Sequence, residues 1–239
     1  MFLPLIVVVL SLVASCTEAI ISENRPVSGF TTVESTGPFI VSIDVGTTES
    51  LRIDANIDDA NAVKALNVTV DNKVLKLSLN APFSWGQDKK YAGLIKISIT
   101  AITLQGVTID GSGSIVVNTP LVQPTVSAVG MGSGNITLSA KTDVLSIVMY
   151  NGGSAFVDGT AANFNAVTYG AGGVNAENLK TNVISVSVYG AGSVIVNDVK
   201  WKVNAVVNLN AAGNVKYRGT PKLGLNIVQQ GTGTVSQIV

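Results

Sequence analysis

Gly111-Ser112-Gly113-Ser114-Ile115-Val116-Val117 returns as Gly132-Ser133-Gly134-Asn135-Ile136 and again as Gly190-Ala191-Gly192-Ser193-Val194. Aligned on the glycine that closes each small triplet, the pattern recurs at Gly113, Gly134, Gly153, Gly172, Gly192, Gly213 and Gly233. The spacings are 21, 19, 19, 20, 21 and 20 residues. Seven units of one length indicate a solenoid, in which each unit stacks on the next. Two residues after the glycine stand Ile115, Ile136, Ala155, Val174, Val194, Val215 and Val235. Six before it stand Val107, Ala128, Ile147, Ala166, Val186, Val207 and Ile227. Both columns are wholly aliphatic, as stacked inward positions require. The alternation on each side of the glycine gives two short strands meeting at a corner. The expected fold is therefore all-β, a right-handed parallel β-helix with rungs of about 20 residues. Its coils stack at ~4.8 Å.

Just before the glycine come Ser112, Ser133, Gly152, Ala171, Ala191, Ala212 and Thr232, none bulkier than threonine. This column predicts a sterically closed corner, at which Ala191→Leu over-packs and Ser193→Leu is silent.

The rest of the 239-residue chain is less regular. Before Val107 lie 6 of the 24 glycines and 18 of the 30 charged residues. Alternating segments there read as strands at 39–45, 50–53, 66–70, 74–79 and 94–99, which add less regular rungs to the rod. One or two helical turns fit Asp58 to Ala65, and Pro82 to Lys90 reads as an exposed loop. No linker separates the halves, so residues 20–239 form one domain, with regular repeats from about 107.

Composition excludes several functions. Fifteen basic residues balance fifteen acidic ones, which gives no electrostatic reason for a nucleic-acid or anionic-membrane partner. Without histidine the chain cannot build a Ser-His-Asp or Cys-His catalytic set, nor most zinc sites. Calcium-binding nonapeptide repeats and a phosphate-cradling Gly-Lys loop are absent, so no metal or cofactor is expected.

Phe2 to Ala14 is an apolar run too short for a transmembrane helix and of signal-peptide length. Residues 1–19 thus read as a signal peptide cleaved near Ala19. Alternatively, Val13-Ala14-Ser15-Cys16 resembles a bacterial lipoprotein box, with the signal ending before Cys16 and Cys16 lipidated. No Lys or Arg precedes the run, so cleavage to a soluble secreted chain is put first. The polar C-terminal stretch argues against a glycolipid-anchor tail.

The Gly-Ser-Gly strands, Phe30 with Gly37-Pro38-Phe39-Ile40-Val41-Ser42-Ile43, and Tyr217-Arg218-Gly219-Thr220-Pro221 together resemble a known family. That family is the putative auto-transporter adhesin, head GIN domain. The resemblance runs from about Phe30 to Val239. It implies a right-handed parallel β-helix on exported, often lipid-anchored, envelope proteins. It implies no activity and no catalytic residues. Asn151 and Ala211 replace the usual first glycine of the triplet.

Few side chains stand out as candidates. Three residues before the glycine, Tyr150, Tyr169 and Tyr189 follow Met131, with Asp110, Asn210 and Gln230 at the flanks. This column is expected to face outward as a stacked ladder, which either stabilises the coil or is a contact stripe for a ligand. Asp158 and Glu177 share a column five residues after their glycines, the one carboxylate pairing that suits a polysaccharide-cleaving β-helix. Solvated turn acids are the plainer reading of that pair. Asn67 and Asn135 head N-glycosylation sequons, usable in a eukaryotic secretory route. Lys200-Trp201-Lys202 is a small basic-aromatic cluster.

The functional expectation is an exported, non-enzymatic protein, secreted or on the cell envelope, that binds an extracellular glycan or protein through a β-helix face. Self-association into a homo-oligomer fits such a face too. The alternatives are a structural envelope protein and, behind it, a carbohydrate-active enzyme using Asp158 and Glu177.

Overall fold

The computed structural model describes residues 20–56, 60–80, 95–196, 204–210, 212–219 and 225–238. The leader with Cys16, the 82–90 loop, Lys200-Trp201-Lys202 and Ala211 lie outside these described residues. The structure is 70% strand and 2% helix, a β-solenoid of about six turns of stacked parallel strands.

The regular part comprises β8 (Gly106–Asp110), β9 (Ser114–Val117), β10 (Leu121–Gly130), β11 (Asn135–Met149), β12 (Ser154–Thr168) and β13 (Gly173–Val188). It continues through β14 (Ser193–Val196), β15 (Asn204–Leu209), β16 (Asn214–Arg218), β17 (Leu225–Gln229) and β18 (Thr234–Ile238). Each strand pairs in parallel with its copy one turn away. The register joins Ile115, Ile136, Ala155, Val174, Val194, Val215 and Val235 into one ladder. A second ladder joins Val107, Ala128, Ile147, Ala166, Val186, Val207 and Ile227. These are the two aliphatic columns of the sequence, and from Val107 to Val194 their described side chains are buried. At the last rung the burial fails: Ile227 is 41% exposed and Val235 only part-buried. Among the described residues, β17 and β18 there pair with the preceding turn alone.

The sterically closed position of the corner is the glycine itself. A Cβ at Gly153 would stand 2.1 Å from the Gly134 carbonyl oxygen, at Gly172 1.9 Å from that of Gly153, and at Gly192 2.0 Å from that of Gly172. Only glycine lets backbones approach so closely. The expectation for the preceding residue is therefore corrected. Ser112, Ser133, Gly152, Ala171, Ala191, Ala212 and Thr232 are all exposed, and a Cβ at Gly152 meets nothing within 4 Å. Those side chains point off the corner into solvent, so Ala191→Leu has nothing to over-pack against. Their small size has no steric cause in the structure.

The N-terminal part comprises β1 (Ile20–Arg25), β2 (Thr32–Thr36), β3 (Ile40–Val45), β4 (Ser50–Asn56), α1 (Ala60–Ala65), β5 (Leu66–Asp71), β6 (Val74–Leu79) and β7 (Ile95–Ala101). These strands are only partly the further rungs expected. β2 lies between β6 and β8, and β3 between β7 and β9, all in parallel. The chain thus enters at an inner rung, steps outward to β6 and β7, and returns at β8. Outside that rung the direction reverses: β5 pairs antiparallel with β6, β4 with β7, and β1 with β4. Asn72 and Lys73 make the β5–β6 hairpin turn with φ of 49° and 65°, the left-handed pair that a tight hairpin requires. Arg25 secures this end by donating to the Val63 carbonyl at 2.8 Å and to that of Leu66, with Glu23 paired to its guanidinium at 2.9 Å. Val63 and Leu66 are buried against the core.

Candidate functional site: an aromatic ladder on the solenoid face

Strand alternation settles which side chains leave the solenoid core. Just ahead of the corner, Met149, Thr168 and Val188 point inward and are buried, so the next residues, Tyr150, Tyr169 and Tyr189, point outward. Each tyrosine amide is fixed by a hydrogen bond to the preceding turn. Tyr150 N donates to Gly130 O, Tyr169 N to Met149 O and Tyr189 N to Thr168 O, each at 2.8 Å. With backbones held at one step, the rings stack. Centroids are 5.0 Å apart for Tyr150–Tyr169 and 5.1 Å for Tyr169–Tyr189, with planes inclined by 7° and 10°. The three residues are 45%, 47% and 46% exposed, so stacking covers ring faces and leaves ring edges to solvent. Met131, in the same column, is only part-exposed.

The neighbouring columns complete the surface. Two residues earlier, Val129, Val148 and Val167 are half-buried and run as an aliphatic strip beside Met131, Tyr150 and Tyr169, while Ser187 takes that place beside Tyr189. Two further back stand Ser127, Ser146, Asn165 and Ser185. No charged residue occupies these three columns between Val126 and Tyr189. The aliphatic strip went unremarked in the sequence, although the same glycine alignment that found the tyrosines displays it.

At the corner below the ladder, Asn151 replaces glycine and its Nδ2 donates to the Met131 carbonyl. Its own carbonyl accepts from Gly172 N at 2.7 Å, so the substitution keeps the inter-rung bond. Across the corner, Asn135 is exposed and its Oδ1 accepts from Ser154 N at 3.1 Å. Asn67 is half-buried in β5.

The carboxylate pair does not assemble as expected. A bulge between Phe156 and Asp158 shifts the β12–β13 register, so Asp158 stands opposite Asn178. Glu177 instead pairs with Arg218 at 2.9 Å. Counting residues from the glycine cannot see an inserted residue, although the repeat lengthens from 19 to 20 at this rung. Among the described residues no cluster of three or more carboxylate or cysteine side chains could hold a metal ion. No described helix is long and apolar enough to cross a membrane. Among the described residues, the two carboxylates held below their ordinary range lie in β1 and β4, away from the strands of the ladder. For Glu23 the main cause is the hydrogen bond from Arg25, and for Asp54 it is the bond from Ser22, with Arg52 assisting.

Comparison with known proteins bears on this surface only through the fold. The sequence profile of the putative auto-transporter adhesin, head GIN domain family matches residues 29–221. The crystal structure of a putative adhesin from Bacteroides fragilis is similar with a TM-score of 0.78 and 24% identity, over 93% of this chain and 98% of that one. A putative lipid binding protein from Parabacteroides distasonis gives 0.69 and 17% with the same coverage. A putative adhesin from Parabacteroides merdae gives 0.64 and 16%, again over 93% and 98%. At these identities the likeness establishes the solenoid and nothing finer. Comparison with curated proteins finds no match.

Proposed function

The chain belongs to the putative auto-transporter adhesin, head GIN domain family, and from that premise we propose that it is a non-enzymatic, exported binding protein. It contacts an extracellular glycan or protein through the face that carries Tyr150, Tyr169 and Tyr189. The observation that carries this reading is the ladder itself: three tyrosines about half exposed, stacked at one step on rigid strands. Exposed tyrosines offer rigid area with a hydroxyl at the edge, and such side chains are enriched at binding surfaces. Export rests on the apolar run from Phe2 to Ala14. Cleavage near Ala19 releases a soluble chain, or lipidation of Cys16 anchors it to the envelope, and residues 20–239 act as one domain in either case. The neutral charge fits a partner other than nucleic acid.

The second reading is a structural envelope protein in which the ladder serves only to stiffen the coil, favoured by the stacking itself. A Tyr150→Ser, Tyr169→Ser, Tyr189→Ser triple variant separates the two. Screened beside the wild type on glycan and extracellular-protein arrays, it should lose the wild type's binding while its circular dichroism spectrum stays that of a β-solenoid. Retained binding with lowered stability would leave the stiffening role alone.

A further inference from the structure

We propose that the ladder's ligand is an uncharged, extended β-linked polysaccharide lying along the solenoid axis, one sugar residue to each rung. This inference rests on the contact-surface reading above and adds the ligand class and its direction.

The ladder has the period of a sugar chain. The rings repeat at 5.0 and 5.1 Å from rung to rung, with nearly parallel planes. The advance of one hexose along an extended β-linked chain is close to that step, so such a polymer meets the same groups at every rung. Weak contacts then add through multivalency. A folded globular partner has no matching repeat.

Both faces of Tyr169 and one face each of Tyr150 and Tyr189 are covered by stacking, so a sugar cannot lie flat on the ladder. Ring edges and hydroxyls remain, with Val148 and Val167 forming an aliphatic strip alongside. Hydroxyl rows beside an apolar strip suit a sugar chain, which is polar at its rim and apolar on its C–H faces.

Between Val126 and Tyr189 no charged side chain lies in the ladder or in the two columns beside it, so along these rungs an anionic polymer finds no counter-charge. Four rungs at ~4.8 Å by a strip a few residues wide cover far less than the ~800 Å² per partner of a standard protein interface. A narrow linear ligand fits that strip better than a second copy of this chain.

The test uses the full chain and β-1,4-linked cello- and N-acetylchito-oligosaccharides of increasing length, titrated by calorimetry. Affinity should rise with each residue until the chain spans the rungs from Met131 to Tyr189, by at least about tenfold in all, and then level off. The triple tyrosine-to-serine variant should abolish the rise. Malto-oligosaccharides of equal length, which coil, and anionic oligogalacturonates should bind at least about tenfold more weakly. No binding of either β-linked series, or affinity independent of length, overturns the proposal. If an arrayed protein still binds through the tyrosines in that event, the contact surface stands and the glycan assignment falls. A dimer in sedimentation that the triple variant abolishes would replace the glycan with a second copy of this chain.

Discussion

From Gly106 onward every paired strand finds its partner one turn away and in the same direction, whereas between Ile20 and Ala101 neighbours run both ways. The two regions share one core: Leu75, Val33 and Val107 continue one inward ladder, and Ile97, Val41 and Ile115 the other. What differs is how an end is closed. A stack of parallel coils always leaves an unpaired edge, which invites unwanted strand pairing. At the N-terminal end antiparallel strands, a helical turn and the Arg25 clamp cover it. At the last rung the same columns surface as exposed Ile227 and part-buried Val235. Regular coils thus supply the repeating surface, and irregular strands supply the cap.

The largest effect should come from the shared core. Phe164, 1% exposed inside β12, should cost ~3–5 kcal/mol when changed to alanine and lower the melting of both regions together. Separate transitions in denaturant, followed by fluorescence and by circular dichroism, would break the single-core view. Next is the cap. Arg25→Ala strips the donor from the Val63 and Leu66 carbonyls, at about 1–3 kcal/mol. Hydrogen exchange should speed up in β1, β4 and β5 while β11 to β13 stay protected; uniform loss of protection would merge the regions.

The two regions were not equally legible in the sequence. From Val107 both inward columns could be read to the residue, because stacked interior positions accept only aliphatic side chains at a fixed repeat. The glycine corner is legible but its tight point is not, since smallness alone does not tell a side chain that cannot fit from one that merely is small. In the N-terminal part the alternation of β3, β4, β5, β6 and β7 revealed strands without their partners. Period two says which side chains face in, and nothing in β2 says that it sits between β6 and β8. The tyrosine column was legible because it shares the glycine count, whereas the bulge beside Asp158 was not, because the count assumes every rung is equal.

Smaller effects sharpen the contrast. Tyr169 stacks on both neighbours and Tyr150 on one, so Tyr169→Ser should be less stable than Tyr150→Ser by roughly 0.5–1.5 kcal/mol in thermal unfolding. Equal losses would deny that stacking adds stability. The smallest effect is electrostatic. Asp54 is held below its ordinary pKa by Ser22 and Arg52, so its contribution is present above the unfolded carboxylate value of ~3.9 and fades as the pH falls through the lower folded value. The melting temperature of Asp54→Asn should therefore fall less between pH 5 and pH 3 than that of the wild type, with the difference seen first in exchange from β1 and β4. An identical pH profile would remove this pair from the cap's stability.

The corner glycines, by letting successive backbones touch, set the register on which the core and the ladder both depend. Gly192→Ala and Ala191→Leu, melted side by side, test it most directly. A Cβ on Gly192 would meet the Gly172 carbonyl oxygen at 2.0 Å, while Ala191 faces solvent. Gly192→Ala should lower the melting temperature strongly, and Ala191→Leu should change stability within the ~0.5 kcal/mol typical of surface substitutions. Equal melting of the two variants, or a greater loss for Ala191→Leu, would contradict that role of the glycines.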